Sequence, residues 1–389
     1  MARRPLLLCL VLLSSGCGGA EISGFPGTDF DADSPLFDLG SLDDLADAGP
    51  LSTFMKGDPL RDCMIRELPR LTVVGNQLMI RCGGRTVPTR LKGLNRSGMQ
   101  HKNGLQMAGF GADPAVELRR WRDEWKAVAL RVSLGQTYYL YYQQYRDDLD
   151  TLVAAARSLG MYLILELHGY DAQNLNEQQP DPNTTPGFWG QLATKYGAET
   201  HVAFDLWNEP HDVPWAQWKG NVDLMLRAIR AAGAADTLVI VGGLEWAYDL
   251  SPLLDPKNRI VNMGPVIYST HPYPLKSRPP SMAAEWDAKF GNVAKIVPVI
   301  VGEYGVDDSN TEPFGLGDAQ AARAWMAQLH AYIDAHQLSA LAWSAGDAPQ
   351  VTLGSNGGPV SLPGNPPDPG RVSVPFGDSV KTWMLKPIL

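Results

Sequence analysis

Two glutamates stand where apolar strands end. Phe204-Asp205-Leu206-Trp207-Asn208-Glu209-Pro210 and Val299-Ile300-Val301-Gly302-Glu303-Tyr304-Gly305 each run through β-forming residues and arrive at a carboxylate. Desolvating a carboxylate costs several kcal/mol unless partners compensate. A pair of them at neighbouring strand mouths could do acid/base and nucleophilic work on one bond. The plain alternative is that each glutamate is salt-bridged to a nearby loop. The polar residues around both runs weigh against it.

Such chemistry needs a scaffold that sets strands side by side. From about residue 88, strand-like apolar runs alternate with amphipathic helical stretches. Strands are predicted over 90–95, 127–132, 162–167, 202–207, 237–241, 266–269, 297–301 and 340–343, and helices include 115–125, 148–159, 222–232 and 319–336. Eight strands, each followed by a helix, over roughly 300 residues are the size and order of an α/β fold of the (β/α)8 TIM barrel type. A doubly wound open sheet is the alternative. It usually carries a Gly-rich phosphate loop after its first strand, and Gly93-Leu94-Asn95-Arg96-Ser97-Gly98 lacks that spacing.

Barrel enzymes place their chemistry at the carboxyl ends of the strands. Those ends carry Asn95, Arg131, His168, Asn208 with Glu209, Glu245-Trp246, His271 with Tyr273, Glu303 and Trp343. Singly, each has a packing explanation. Jointly, so many polar and aromatic groups on one rim point to a site. A metal-dependent hydrolase on His168, His211 and His271 is the rival chemistry, but the sequence has no H-x-x-x-H pair or Cys/Asp cluster to join them. Neither cofactor nor metal is expected.

The 389 residues are 44% hydrophobic and 19% charged, as expected of a globular enzyme. The net charge of −9 is concentrated: nine acids between residues 18 and 60 face Lys56 alone, which leaves the body near neutral. No basic footprint for nucleic acid is present. Residues 18–60 read as a disordered acidic tether with a reach of roughly 35–40 Å. Ahead of it, Arg3-Arg4, the apolar run Leu6–Leu13 and Ser14-Ser15-Gly16 read as an export signal over 1–17. Cys17 then sits as in the lipidation box that this segment resembles in bacterial lipoproteins. The expected address is the cell surface or outer membrane, or the medium. Residues 61–389 form the expected catalytic domain. A hairpin over about 69–83, turning at Gly75-Asn76, precedes the barrel. Cys63 and Cys82 bracket it and are candidates for a disulfide in an oxidising compartment, or else two unpaired small hydrophobes.

The chain resembles glycoside hydrolase family five, the cellulase-type retaining β-glycosidases of clan A, over about residues 69–389. Asn208-Glu209-Pro210 resembles the family's acid/base signature and Val301-Gly302-Glu303-Tyr304-Gly305 its nucleophile strand. His271-Pro272-Tyr273-Pro274, Gly243–Leu250 and Leu94–Gly98 are similar to its endoglucanase branch. The resemblance implies Glu209 as general acid, then base, and Glu303 as nucleophile, with carboxyl groups about 5–5.5 Å apart. It implies that the charge of Glu303 raises the pKa of Glu209. Arg131 would orient Glu303, and Asn208 would hold the 2-hydroxyl of the sugar at the cleaved bond. His271 and Tyr273 would orient the carboxylates, and His168 and Trp343 would line that sugar's site. Trp246 and Trp207 are expected in the cleft, with Tyr138–Tyr142 and Trp215 as further aromatic candidates and Trp218 as packing. The implied activity is endo-hydrolysis of β-1,4-glucan by a monomer acting on a polysaccharide or oligosaccharide. An endo-β-mannanase or other hemicellulase is the alternative within the family, and a non-catalytic glycan-binding surface lipoprotein the remote one.

Overall fold

Ahead of the barrel, β1 (Arg70–Val74), β2 (Gln77–Cys82) and β3 (Arg85–Pro88) form an antiparallel sheet in that order. The expected two-stranded hairpin thus gains a third strand, with Ile80 opposite Val87 and Cys82 opposite Arg85. Arg85-Thr86-Val87-Pro88 is short, polar and closed by proline, which suits a sheet edge and hides it from an apolar-run reading. The computed structural model describes residues 68–82, 84–111, 113–169, 177–277, 282–306, 315–345 and 376–387. Cys82 is disulfide-bonded. Its expected partner Cys63, the anchor candidate Cys17, the signal segment and the tether lie outside the described residues.

The apolar runs pair in parallel because they are buried on both faces. They are β4 (Lys92–Arg96), β5 (Ala129–Gly135), β6 (Tyr162–Gly169), β7 (Val202–Asp205), β8 (Val239–Gly242), β9 (Val266–Thr270), β10 (Val299–Tyr304) and β11 (Ser339–Ala342). They close into a barrel in the order β10-β11-β4-β5-β6-β7-β8-β9. The long crossover helices are Pro114–Trp125, Gln143–Ser158, Thr185–Tyr196, Trp215–Ala231 and Ala319–Ala335, with Phe376–Met384 following the last strand. Side-chain caps start two of them: Asp113 accepts from the Ala115 amide, and Asp318 accepts from that of Ala321 at 2.7 Å. One expected helix is missing. Between β8 and β9 the chain makes the short 3-10 turns Ser251–Leu254 and Pro256–Asn258, because Pro252, Pro256 and the Asp/Asn residues around them break a longer helix.

Strand alternation divides the interior. Leu130, Val132 and Leu134 of β5 join the apolar layer under the helices, which turns Arg131 and Ser133 inward. At the amino ends of the strands the interior is apolar, with Ile164, Ala203, Ile240, Ile267, Ile300 and Leu341 packed against Leu71, Leu78 and Ile80 of the small sheet. That sheet plugs the barrel. Toward the carboxyl ends the interior becomes polar, with Asn95, Arg131, Glu166 and Asp205 all buried. β10 breaks the alternation. Val301 and Tyr304, three apart, both belong to the outer layer, and the pairing with β11 shifts register between them. The extra residue lets Glu303 face inward from a strand whose regular alternation would have turned it out.

Candidate active site

Arg131 is the hub. Fully buried, it donates through Nη1 to Glu303 Oε1 at 2.6 Å and to Asn95 Oδ1 at 3.0 Å, through Nε to Asp205 Oδ2 at 2.8 Å, and through Nη2 to Asn208 Oδ1 at 3.1 Å. Glu166 lies 3.7 Å away. Strand register gathers these groups: Asn95 opposes Arg131, and Glu166 opposes both Ser133 and Asp205. One cation therefore faces three buried carboxylates. Burial raises Asp205 to about 7 against the pull of Arg131, and its Oδ1 makes no hydrogen bond. Burial also opposes the charge on Glu166, but Arg131 and His168 outweigh it and hold this carboxyl below its ordinary range. His168 shows the converse: burial disfavours its charge, yet Glu166, 3.3 Å from Nδ1, lifts it above the usual histidine range.

The two strand-end glutamates meet above the hub. Glu303, 4% exposed, takes the Arg131 bond on one oxygen and the Tyr273 hydroxyl on the other at 2.8 Å. Glu209 meets His271 Nδ1 at 3.0 Å, and the same nitrogen is 3.7 Å from Glu303 Oε2. Oxygens of both carboxylates and a ring nitrogen of His271 lie within 4.8 Å of one another, the spacing at which these three could also ligate a metal ion. Burial pushes His271 down to about 3, so it serves as a neutral hydrogen-bonding ring. Burial also raises Glu209, against the opposing charges of Lys276, His168 and Arg131. A carboxyl that holds its proton more tightly than an ordinary glutamate, beside one gripped by two donors, can supply a proton and a nucleophile to the same bond.

Above the pair opens a cleft of about 730 Å³. Its walls include His168 and Trp343 on one side and Glu245, Trp246, Tyr248 and Lys276 on the other. The His168 and Trp343 rings stack at 6.0 Å and 17°. Loop bonds fix Trp343, whose amide donates to Tyr304 O at 2.8 Å and whose peptide bond to Ser344 is cis. The opposite wall is unusual. Glu245, Trp246 and Ala247 are three consecutive residues with φ of 56°, 57° and 56°, a left-handed turn without glycine. Each such residue costs about 1–2 kcal/mol, so the turn persists through its ties. Trp246 N donates to Pro210 O at 3.1 Å, His271 N to Ala247 O at 3.1 Å, and the Trp246 ring stacks on His211 at 4.5 Å and 8°.

Residues 90–349 match the family model for cellulase (glycosyl hydrolase family 5). The chain belongs to that family. Among curated relatives, Endoglucanase EG-II of Hypocrea jecorina is 32% identical over 138 residues, 32% of each chain. Endoglucanase E-5 of Thermobifida fusca is 24% identical over 264 residues, 65% of this chain and 51% of that one. The chain thus spans about a third to a half of the length of these relatives. A crystal structure of the β-glucanase SdGluc5_26A from Saccharophagus degradans, in complex with cellotetraose, has the same fold, with a TM-score of 0.65 and 21% identity over 82% of this chain and 93% of that one.

Within this family-5 barrel, the structure brings together Glu209, Glu303, Arg131, Asn208, His271, Tyr273, His168, Trp343 and Trp246. Asn95 lies beneath the site, fully buried, donating to Gly302 O and Leu341 O. Several expectations are corrected. Trp207 is buried in the layer under the helices and forms no wall of the cleft. Trp215 packs inward and donates to Asn258 O, none of Tyr138–Tyr142 lines the cleft, and Trp218 is buried as packing, as expected, donating to Gly242 O. Burial, rather than the charge of Glu303, is the leading cause of the raised Glu209 pKa. The three histidines do not converge: His168 faces Glu166, His211 stacks on Trp246, and His271 sits between the glutamates. Glu166, Asp205 and Lys276 were missed. The first two had a signal, since a lone acid inside an apolar strand needs a buried cation and Arg131 was available.

Proposed function

We propose that this chain is a retaining endo-acting β-glycosidase that hydrolyses β-1,4-glucan by double displacement. The observation that carries the reading is the closeness of Glu209 and Glu303, with one oxygen of each within 4.8 Å of the other. Retaining enzymes hold their carboxyls about 5–5.5 Å apart, whereas inverting enzymes leave about 6.5–9.5 Å for a water. In the first step a Glu303 oxygen bonds to the anomeric carbon as the glycosidic C–O bond breaks, and Glu209 gives its proton to the departing oxygen. In the second, Glu209 takes a proton from water, the water oxygen bonds to the anomeric carbon, and Glu303 leaves. Arg131 and Tyr273 hold Glu303 for in-line attack. Asn208, its carbonyl turned to Arg131, presents its amide NH2 to the sugar's 2-hydroxyl.

The endoglucanase names of the relatives favour glucan over mannan. Carboxymethyl cellulose, mixed-linkage β-glucan and galactomannan, assayed side by side, test the choice. Release from the glucans alone supports the reading; release from galactomannan moves the substrate. Glu303→Gln should lose activity by a factor on the order of 10⁴ or more, and a variant with near-normal turnover would remove Glu303 from the nucleophile role. Glu209→Ala should slow substrates with poor leaving groups far more than activated aryl glycosides. The segment 1–17, Cys17 and the disulfide-bonded Cys82 support export, with lipid anchoring at Cys17, as part of the same proposal. Among the described residues no helix is long and apolar enough to cross a membrane.

A further inference from the structure

We propose that Lys276 is a positioning residue that straps the left-handed turn at 245–247 and thereby holds Trp246 against the loop bearing Glu209. The strap is direct. Lys276 Nζ donates to Glu245 O at 2.5 Å and to Trp246 O at 3.1 Å, two carbonyls of the turn, and lies 5.5 Å from the centre of the Trp246 ring. The turn in turn reaches the acid/base loop, through Trp246 N to Pro210 O and through the stack of Trp246 on His211. At its other end Lys276 is fixed to the nucleophile's side. Its amide donates to Tyr273 O at 3.0 Å, and the Tyr273 hydroxyl donates to Glu303. A chain of contacts therefore runs from Glu209 through Trp246 and Lys276 to Tyr273 and Glu303, and Lys276 closes it.

Three left-handed residues without glycine do not hold such a shape unaided. Burial pushes the Lys276 ammonium down to about 8, with Glu209, Glu245 and Glu303 as its acidic neighbours. A side chain that only filled this space would be apolar. Resting on the glycosidase reading, the turn forms the cleft wall on the leaving-group side. The sugar being cleaved lies toward Asn208, His168 and Trp343, and the next unit of the chain then meets the Trp246 wall that Lys276 straps. Lys276 thus governs how a sugar leaving group is held for protonation, without touching the bond itself.

The test is a double-mutant cycle of Lys276→Met and Trp246→Ala on two substrates. Cellopentaose has a sugar leaving group; β-cellobiosyl fluoride has a single atom, which needs neither the wall nor a strong acid. Lys276→Met should lower kcat/KM on cellopentaose about tenfold and on the fluoride less than about twofold. In the Trp246→Ala background the same change should add nothing further on cellopentaose. Equal losses on both substrates, or additive losses on cellopentaose, would show a merely structural lysine and overturn the proposal. If Lys276→Met does not fold, Lys276→Gln, which can still reach one carbonyl, takes its place with a smaller loss in the same pattern. A wild-type protein inactive on both substrates would overturn the β-1,4-glucanase reading itself. An active one with an unaltered Lys276→Met variant would overturn only the strap.

Discussion

The charges around Arg131 are unequal in number, and that inequality sets how single residues titrate. With Glu166, Asp205 and Glu303 sharing one guanidinium, the least compensated carboxyl keeps its proton longest, and burial places Asp205 at about 7, against 3.8 for an ordinary aspartate. The folded state therefore binds this proton more tightly than the unfolded chain. The stability it contributes is fully present below about pH 3.8 and is lost as the pH rises through about 7. Asp205→Asn fixes the neutral form. Its melting temperature relative to wild type should climb between pH 4 and pH 8, and a difference independent of pH would exclude Asp205 as the titrating group. Activity follows a second residue. In the proposed mechanism Glu209 must be protonated to act, and burial raises its pKa. The alkaline limb of kcat/KM should thus fall above the ordinary carboxylate range, and a limb near pH 4.5 would show that the acid is more solvated than this geometry implies.

At the scale of elements, the irregularities do the positioning. The register shift in β10 turns Glu303 inward, and Gly302 beside it is glycine for want of space. A Cβ there would lie 2.1 Å from Ser269 Oγ and 2.9 Å from His271 Nε2. Gly302→Ala must displace the His271 ring, and with it the partner of Glu209. A shift of about 1 Å in a reacting group can cost on the order of 10²-fold in rate. We expect kcat to fall by about 10–10²-fold while the melting temperature drops by only a few degrees. Asp318→Ala is the contrasting case. It removes the cap at Ala321 N, a group outside the cleft lining, and should cost about 1 kcal/mol with kcat unchanged. Denaturant melts and initial rates on one glucan separate the two outcomes.

Across the described barrel, the stabilising plug and the candidate site occupy opposite ends. The small sheet closes the amino end with Leu71, Leu78 and Ile80, and Tyr162 ties in through its hydroxyl to Pro69 O. Ile80→Ala, at a site 1% exposed, should destabilise by about 2–5 kcal/mol yet leave kcat near wild type below the melting transition. A proportionate loss of kcat at low temperature would show that the two ends are coupled. The same division separates what each level of description could reveal. Eight apolar runs and the carboxylates that end two of them are local facts, since burial on both faces and the cost of a strand-end charge act within a few residues; they sufficed for the barrel and marked Glu209 and Glu303 as candidates, while the roles proposed for these and for Arg131 came from the family resemblance. The third strand of the plug, the short 3-10 crossover after β8 and the bulge in β10 were less legible, because an edge, a break and a register slip are decided by neighbours distant in the chain. Trp207 and Trp246 show the limit most plainly: both are tryptophans just past a strand, and only the packed fold sends one beneath the helices and the other, through a left-handed turn held by Lys276, to the wall of the cleft. Sequence by itself determined which groups could react; tertiary structure decided which of them meet, because distance, desolvation and shared counter-charge exist only once the strands have closed.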